Sequence, residues 1–455
     1  MYSVLDFGAF GDGFSNDGDS IQEAINRCSE DGGGTVLFPS GKEYLTGPFQ
    51  IKSNVTLHVE GNALIKASTD ESLYVESAFK ENRSEGSMWI YAREAQNISI
   101  TGTGRIDGQG TEFMVDEEIS HYNYKMENDM DMRPHLLTMI ACRNITIRDV
   151  TFSNAAYWCV HPIGCEDVLI SGVRILNSLK VRNCDGIDPD HCRNVRISDC
   201  YIESADDCIC LKTRREYAEY GPTENVTVTG CTLVSTSCAI KLGSENVSDI
   251  RNVVFNSIII SSSNRGLGIQ NRDEGIIENI TFSNIQIESR LFTDVWWGKA
   301  EPISITTFRR SEDSLRRFKP GQTRGIAGEV RNIKFHNISC RSENGIYLSG
   351  CDESRPREIL FDNVRIEINK ITKHSGGVYD RRPCDVDGII SPGTSGFHLN
   401  SADDVEIRNC RVSWGEFRPD YYGHVFYAKD VNDLFLDSIK GYSAYETKER
   451  IVIED

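Results

Sequence analysis

A short phrase of one polar residue followed by alternating β-forming residues recurs along most of the chain. Asn54-Val55-Thr56-Leu57 is the first copy and Asp433-Leu434-Phe435-Leu436 is the last. Alternation of apolar and polar positions predicts short, half-buried strands. The copies begin at residues 54, 97, 144, 167, 194, 225, 252, 279, 332, 358, 404 and 433.

The spacing of these copies predicts the fold class. From residue 144 onward the steps are 23, 27, 31, 27, 27, 53, 26, 46 and 29 residues. Chance recurrence of a common tetrapeptide would give no fixed step, whereas repeats of strands and turns without a helix are typical of a β-solenoid. We therefore expect an all-β fold of stacked coils. The leading Asn residues are expected to form a structural ladder that satisfies turn backbone groups, with no chemical role.

The first 50 residues differ from this pattern and are expected to cap the solenoid. Ser20 to Cys28 places Ile21, Ala24, Ile25 and Cys28 on one helical face, and Gly32-Gly33-Gly34 follows. A helix here would cover the first coil, whose apolar end and strand edges are otherwise open. We expect residues 1–455 to form a single domain.

Three stretches break the period: Thr111 to Met132, Glu288 to Gly328 and Lys370 to Ser395. Long loops on one face of a solenoid commonly wall a binding groove. The second stretch carries Trp296 and Trp297, which are expected either to stack on a sugar ring or to anchor the loop.

Composition restricts the partners and the compartment. A formal charge of −19 argues against nucleic acid or an anionic membrane as a partner. Residues 1–6 lack a basic and apolar leader pattern, which predicts a cytoplasmic protein. The fifteen cysteines, an odd number without CxxC spacing, are expected to be reduced core thiols, and no metal or cofactor is expected.

Two short segments hold the candidate chemistry. Asn183-Cys184-Asp185-Gly186-Ile187-Asp188 and Ser204-Ala205-Asp206-Asp207-Cys208 together contain four aspartates. Asp185 precedes Asp206 by 21 residues and Asp207 by 22, less than one period, so the segments are expected on neighbouring coils. Adjacent residues in a regular strand face opposite ways, but a bend at the strand end would let Asp206 and Asp207 face one groove.

Carboxylates gathered in this way supply the parts for inverting hydrolysis of a glycoside. One protonates the leaving oxygen and the others deprotonate a water on the opposite side of the sugar, with roughly 6.5 to 9.5 Å between acid and base. The structural alternative is that each aspartate caps a turn.

These residues carry a family resemblance. The chain resembles the glycoside hydrolase family 28 pectinases, the polygalacturonases and rhamnogalacturonan hydrolases. The resemblance implies a right-handed parallel β-helix, Asp206 as general acid, Asp185 and Asp207 as the residues that hold and deprotonate the water, and Asp188 in support. Besides the two aspartate segments, it rests on residues 6–13, residues 102–110, Arg133-Pro134, and Trp158 with His161.

The chain also departs from the family pattern at two places. Cys238 stands where many members have the histidine of Gly-His-Gly, and Gly268 and Gln270 stand where polygalacturonases have an Arg-x-Lys pair that grips the uronate carboxylate. Losing charge-assisted hydrogen bonds argues against plain polygalacturonate as substrate. Two explanations are open. The sugar beside the cleavage point is neutral, such as rhamnose, or other cations bind the carboxylate. The candidate cations are Arg265, Arg272, Lys241, Arg214 and Lys299.

Other candidate side chains have plain structural alternatives. Cys238 is expected to be a core thiol rather than a nucleophile, since no histidine is near it in sequence. His161 and His191 are expected either to assist at the groove or to make structural hydrogen bonds, and the Trp-x-x-His setting favours His161. The expected substrate-binding set is Asp188, His161, Lys241, Arg265, Arg272, Gln270, Trp296 and Trp297.

The sequence thus favours an inverting, exo-acting glycosidase that trims pectin-derived or related oligosaccharides. One alternative is a polysaccharide lyase or epimerase on the same fold, although no cationic cluster to stabilise a carbanion is evident. Another is a catalytically silent glycan-binding solenoid. The sequence leaves the oligomeric state undetermined.

Overall fold

The computed structural model of the protein describes residues 1–80, 85–120, 123–126, 133–318 and 325–455, with the backbone alone at 116–120, 123–126 and 316–318. The chain divides into two compact units, Met1–Ile209 and Cys210–Asp455. Each unit is built mainly from parallel strands, as the repeated phrase predicts. The expectation of a single domain over 1–455 stays a prediction.

The first unit contains one α-helix, Gly18–Glu30, and the 3₁₀ helices Val4–Phe7, Glu71–Leu73 and Gly110–Phe113, counted over the described residues. Its strands are Tyr2–Ser3, Asp12–Asn16, Gly34–Phe38, Glu43–Thr46, Phe49–Gln50, Val55–Val59, Leu64–Ala67, Ser87–Arg93, Gln96–Thr101, Arg105–Asp107, Met114–Ser120, Asn123–Met126, Pro134–Ile140, Arg143–Arg148, Thr151–Ser153, Val160–Ile163, Glu166–Ser171, Arg174–Leu176, Arg193–Ser198 and Tyr201–Ser204.

The strand Ile209–Thr213 begins on the last residue of the first unit. In the second unit, the described helices are the 3₁₀ helix Arg215–Tyr220 and the α-helix Glu312–Phe318. Its strands are Thr223–Thr229, Thr232–Asn246, Ile250–Asn271, Ile277–Ser289, Glu301–Thr307, Val330–Ser342, Ile346–Ser349, Arg357–Ile368, Tyr379–Asp380, Ile389–Ile390, Phe397–Arg408, Arg411–Trp414, Phe426–Asp437 and Ile451–Glu454.

Like residues stack on like residues from one coil to the next. In the first unit Ile145 pairs with Val168 and Val168 with Val195, each in parallel register. In the second unit the rings of Phe255, Phe282, Phe335 and Phe361 stack face to face at 4.9, 5.0 and 4.9 Å. Because every coil places its apolar residues at the same positions, each unit encloses one continuous apolar core.

The polar residue that opens each phrase turns the chain. All twelve opening positions have φ between 47° and 64°, the left-handed region that Asn and Asp tolerate better than most residues. Asn97 Nδ2 donates to Asn54 Oδ1 at 2.8 Å, and Asn332 Nδ2 donates to Asn279 Oδ1 at 2.6 Å. The predicted Asn ladder is present, but these bonds join Asn side chains to one another rather than to turn backbone groups, and they hold successive turns in register.

The two long steps of the repeat are loop insertions within single coils. Ile280 pairs directly with Ile333, and Ile359 with Val405, although 53 and 46 residues separate them in sequence. The expected loop at 288–328 is not one loop, because the strand Glu301–Thr307 within it pairs in the sheet with Ile250–Asn271 and Ile346–Ser349. The chain leaves the coil between Ser289 and Glu301 and again after Thr307, and the expected loop at 370–395 follows the strand Arg357–Ile368. Part of the first expected loop, 111–132, lies outside the described residues, and its described backbone contains the antiparallel pair Met114–Ser120 and Asn123–Met126.

The predicted N-terminal helix is present and somewhat longer than expected. Gly18–Glu30 buries Ile21, Ala24, Ile25 and Cys28, the four residues that the pattern placed on one face. Gln22 fixes the helix to the first coil, since its amide donates to Gln50 O at 3.1 Å and accepts from Gln50 N at 2.7 Å. The helix thereby covers the apolar residues at the start of the first unit.

All fifteen cysteines are free, and fourteen of them are buried, with Cys351 half-buried. This confirms that the thiols serve as small core residues. Within the described part of the chain, no helix has the length and apolar character needed to cross a bilayer.

His398 gives the second unit a pH-dependent stability. Its ring is 5% exposed and stacks on Tyr427 at 4.7 Å. Burial, with a contribution from His424, lowers the pKa of His398 from 6.5 to about 4. Between these values the unfolded chain binds the proton and the folded chain does not, so stability is complete above pH 6.5 and decreases as the pH falls towards 4.

We expect His398→Phe, which retains the stacking, to remove about 3 kcal/mol of this pH dependence. Urea unfolding of both proteins between pH 7 and pH 4.5 measures the difference, with His58→Gln as the control. An unchanged slope of unfolding free energy against pH in His398→Phe would contradict the assignment.

Candidate active site

Three aspartates of the first unit meet at one point. One carboxylate oxygen from each of Asp185, Asp206 and Asp207 lies within 4.8 Å of the other two. The three residues are 2%, 5% and 1% exposed. The expectation that Asp206 and Asp207 reach the same place, although adjacent in sequence, is therefore met by the geometry.

Stacking of three consecutive chain segments brings these residues together. Cys159 N donates to Asp185 O at 2.8 Å, and Gly186 N donates to Asp207 O at 2.9 Å. Isolated parallel bridges join Val160 to Ile187 and Ile187 to Ile209. The 21-residue separation of Asp185 and Asp206 in sequence thus becomes the separation of two neighbouring coils, as expected.

The residues around Asp185 are fixed by the backbone they must adopt. Asn183 has φ of 58°, in the left-handed region. A Cβ on Gly186 would lie 2.4 Å from Cys208 O, so only glycine permits the close approach of the next coil. Cys184 and Ile187 are completely buried. The segment therefore places Cys184 and Ile187 in the core, while the Asp185 carboxylate meets those of Asp206 and Asp207.

A bend after the strand Tyr201–Ser204 turns Asp206 towards Asp185. Ser204 Oγ donates to Cys184 O at 2.8 Å and accepts from Asp206 N at 3.0 Å. Ala205 N donates to Cys184 Sγ at 3.3 Å. One serine hydroxyl and one thiol thus fix the bend that lets two consecutive aspartates face one site.

Close carboxylates restrict the chemistry available here. Carboxyl groups gathered at one point can supply both the proton donor and the proton acceptor of an acid–base reaction. The nearest oxygens are closer than the 6.5 to 9.5 Å expected between acid and base, because Asp206 and Asp207 are adjacent and Asp185 is on the next coil. The same three oxygens also have the spacing of a cation site.

Asp188 and His161 lie beneath this surface rather than on it. Both residues are 0% exposed. His161 Nε2 lies 3.3 Å from Asp190 Oδ2, and His191 Nε2 lies 3.8 Å from Asp190 Oδ1. The structure thus places His161 and His191 in a buried histidine–carboxylate cluster, which is the structural alternative. Because both side chains are buried, the structure does not support His161 and Asp188 as residues that contact the substrate.

Sequence reasoning missed several residues of the first unit around this site. Arg133, cited only for its resemblance, donates to Arg182 O at 2.6 Å and to Asn183 Oδ1 at 3.2 Å, and its guanidinium lies over the Tyr157 ring at 5.0 Å. His135 stacks on His161 at 5.2 Å. Asp190 follows Asp188 by two residues, which was the available signal for it. No local pattern indicated His135, since its neighbours come from distant segments.

Arg265 and Arg272, expected among the substrate-binding residues, are engaged by other parts of the second unit, and their assignment to substrate stays a prediction. Arg265 is 2% exposed and donates to Glu301 at 3.3 Å and to Asp380 O at 2.9 Å. Burial alone would lower the pKa of Arg265, but the charges of Glu301 and Asp380 raise it. Both arginines are occupied inside the second unit, where they hold the loop at 370–395.

Arg272 is completely enclosed by oxygen acceptors, and its burial lowers its pKa to about 10. Its guanidinium donates to Pro383 O at 2.6 Å, to Arg381 O at 2.5 Å and to Thr306 Oγ1 at 2.8 Å. Gln270, 4% exposed, donates to Arg382 O at 3.4 Å. Gln270 is thus also engaged by the loop, which does not support its assignment to substrate.

The tryptophan pair is held by the same loop. Both rings are half-buried, and Arg382 lies over the Trp297 ring at 4.9 Å. Arg382 Nη2 donates to Trp296 O at 2.9 Å, and Lys299 Nζ donates to Trp296 O at 3.0 Å. Of the two expectations for this pair, the structure supports anchoring of the loop.

Among the cations around Glu245 in the second unit, Lys241 is half-exposed, whereas Lys212, Arg214 and Arg310 are buried. Burial would raise the pKa of Glu245, but the charges of Lys212, Arg214, Arg310 and Lys241 together lower it. Lys241 pairs in register with Gly268 on the next strand. A cation therefore lies beside one of the two positions where the family pair is missing.

Cys238, which replaces the family histidine, is 3% exposed, and its Sγ donates to Ile240 O at 3.1 Å. This is the setting of a core thiol, as expected.

Arg272 offers a test of the loop anchor. We expect Arg272→Met to leave buried carbonyls without a donor and to lower the free energy of unfolding by about 1–3 kcal/mol. Amide hydrogen exchange over residues 379–383 should become faster in the variant. Arg365→Met, at an exposed position of the same unit, is the control. Equal exchange in Arg272→Met and the wild type would show that Arg272 does not anchor the loop.

Comparison with known proteins identifies the family. A model of glycosyl hydrolases family 28 matches residues 28–384. A probable polygalacturonase from Vitis vinifera is 33% identical over 288 residues, which cover 59% of this chain and 56% of the grape protein. The match thus spans little more than half of that relative.

Two solved structures share the fold. The exopolygalacturonase of Yersinia enterocolitica has a TM-score of 0.70 at 18% identity, covering 96% of this chain and 78% of its own. The exopolygalacturonase of Thermotoga maritima has a TM-score of 0.63 at 22% identity, covering 80% and 86%. The predicted right-handed parallel β-helix is confirmed. With its three aspartates on neighbouring coils, the chain belongs to glycosyl hydrolase family 28.

Proposed function

We propose that this protein is an inverting, exo-acting glycoside hydrolase that trims pectin-derived oligosaccharides. The observation that carries the proposal is the meeting of three buried carboxylates, Asp185, Asp206 and Asp207, on two neighbouring coils. Membership of the family supports the assignment of roles to these residues.

In the proposed reaction Asp206 gives its proton to the glycosidic oxygen as the bond to the anomeric carbon breaks. Asp185 and Asp207 hold a water molecule on the opposite face of the sugar and accept one of its protons as its oxygen attacks. The released sugar then has the opposite anomeric configuration. The proton taken by the base and the proton lost by the acid balance, and exchange with solvent restores both groups.

The exo mode is supported by the loop at 370–395. In the second unit, Tyr379 of this loop stacks on Tyr347 at 4.4 Å, and the carbonyls of residues 380–383 receive donors from Arg265, Gln270 and Arg272. Strand residues that would otherwise face outward are therefore covered. We therefore propose that this face of the second unit does not accept a long glycan.

The substrate is proposed to differ from plain polygalacturonate. Gly268 and Gln270 provide no positive charge, and Arg265, Arg272 and Lys299 are occupied within the protein. Arg214 pairs with Glu216 at 2.6 Å. We therefore propose a neutral sugar, such as rhamnose, beside the cleavage point.

We propose a cytoplasmic location and action on imported oligosaccharides. The fifteen free thiols support a reducing compartment, since disulfides form and persist in oxidising ones. A lyase or epimerase, and a silent glycan-binding protein, remain the competing functions on this fold. Detection of unsaturated uronate products by ultraviolet absorbance would favour the lyase.

Asp206→Asn should lower kcat by about 10²–10⁴-fold while leaving the fold intact, because the leaving oxygen loses its proton donor. Asp199→Asn is the matched control, since Asp199 is exposed in a turn with φ of 57°, where asparagine is equally suited. Hydrolysis of a panel of pectic oligosaccharides measures both variants.

The anomeric form of the first product, followed by proton NMR, tests the stereochemistry of the same reaction. Inversion is expected. Retained activity in Asp206→Asn would contradict the acid assignment, and a product of retained configuration would contradict the water-attack mechanism.

We expect hydrolysis to be independent of divalent metal, although the three oxygens have the spacing of a cation site. Dialysis against EDTA should leave kcat and KM unchanged, since the aspartates act as acid and base. Loss of activity that Ca²⁺, Mg²⁺ or Mn²⁺ restores would show instead that the aspartates bind a metal.

A further inference from the structure

A cleft with a volume of about 470 Å³ opens on the second unit. This is within the size range of small-ligand sites in proteins. It is lined by side chains that the proposed reaction does not use, chiefly Ser289, Arg290, Arg341, Glu367, Asn369 and Ile371.

The cleft exists because alternate coils carry long loops. Ser289, Ser342 and Ile368 occupy one register position on three successive coils. The chain leaves into long loops after Ser289 and after Ile368, whereas after Ser342 it turns within a few residues into the strand Ile346–Ser349. Two loops therefore stand on either side of a short turn, and the space between them is the cleft.

The walls of the cleft are fixed by buried polar contacts. Glu343, 2% exposed, accepts from Lys370 Nζ at 2.7 Å and from Thr372 N at 3.0 Å, which ties the second loop to the middle coil. Asp294 on the first loop accepts from Ser375 N on the second at 2.7 Å. The cavity is thus largely formed before any ligand arrives.

Ser289 is a buried hydroxyl that has no protein partner among the described residues. It is 3% exposed and lines the cleft. Ser263 and Ser342, at the same register position on the flanking coils, each donate to the carbonyl two residues ahead. Ser289 lacks this acceptor because its chain departs into the loop. Its hydroxyl is therefore a buried polar group without a protein partner at the wall of the cleft.

The charged residues of the cleft are balanced and weakly engaged. Arg341 lies 3.8 Å from Glu288, with side chains 74% and 59% exposed. The Arg290 guanidinium lies over the Phe292 ring at 4.5 Å. Glu367 adds a second carboxylate to the two arginines and Glu288. The cleft thus offers both hydrogen-bond donors and hydrogen-bond acceptors. A hydroxyl group can use both, because it donates and accepts, whereas an anion only accepts.

We propose that this cleft is a second saccharide-binding site, which takes a short neutral oligosaccharide. Ser289, Arg290 and Glu367 hydrogen-bond its hydroxyl groups, and Ile371, 62% exposed, contacts an apolar face of a sugar ring. The site would hold a glycan without cleaving it. The inference goes beyond the proposed function and does not depend on hydrolysis.

Isothermal titration calorimetry of the full chain tests this site, with Asp206→Asn as the background so that no ligand is consumed. The probes are galactotriose, arabinotriose and trigalacturonate. We expect a neutral trisaccharide to bind, with Kd raised about tenfold by Arg290→Ala and about fivefold by Ser289→Ala. Arg365→Ala, at an exposed site outside the cleft, should leave Kd unchanged.

Thermal melting checks that the variants are folded, and Ser289→Ala removes a hydroxyl without a protein partner. Absence of binding by either neutral trisaccharide, or binding that neither cleft variant weakens, would overturn the proposal. If the protein bound trigalacturonate more tightly than the neutral probes, and the cleft variants weakened that binding, the proposal of a neutral ligand would be overturned. If the wild-type protein hydrolysed no member of the substrate panel, the proposed reaction would be wrong, but the binding measured by calorimetry would still test the cleft.

Discussion

In-register stacking of parallel coils is the constraint on which the structure depends. Each coil must turn at the same place as its neighbour, or the apolar residues of successive strands would not meet. The left-handed turn residue at the head of each phrase satisfies this requirement, and the Asn97 to Asn54 hydrogen bond shows how one turn is held to the next. The stacked phenylalanines at 255, 282, 335 and 361 are the consequence inside the core.

The same stacking assembles the candidate active site. Residues at corresponding positions on neighbouring coils are close to each other, whatever their side chains. One carboxylate on each of two coils is therefore enough to form a pair. A third carboxylate requires a local departure from regular strand geometry. The bend at Ser204 and Ala205, held by Cys184, provides it, and Gly186 permits the coils to approach closely enough.

Insertions between coils provide what the regular repeat cannot. The loop at 370–395 is fixed by buried arginines that donate mostly to backbone carbonyls, which makes it a rigid part of the second unit. The chain leaves the coil after Ser289 into the segment 290–300 and thereby removes the acceptor that the serine hydroxyl has on flanking coils. Insertion thus both covers one face of the strands and opens a cleft beside another.

Residue patterns and repeat spacing were sufficient to predict the solenoid, the capping helix and the meeting of the three aspartates. These are local or periodic properties: the alternation sets the strands, Asn tolerates the turn, and the 21-residue step places Asp185 beside Asp206. The partners of the arginines, and the strand Glu301–Thr307 inside an expected loop, became evident only in the folded chain, because they depend on contacts between distant segments. Arg265 and Arg272 look like ligand-binding residues in the sequence, but carbonyls and carboxylates from residues 301–383 enclose them. No local sequence pattern could predict the position of His135 or the cleft at Ser289, because the residues around each come from segments far apart in the chain.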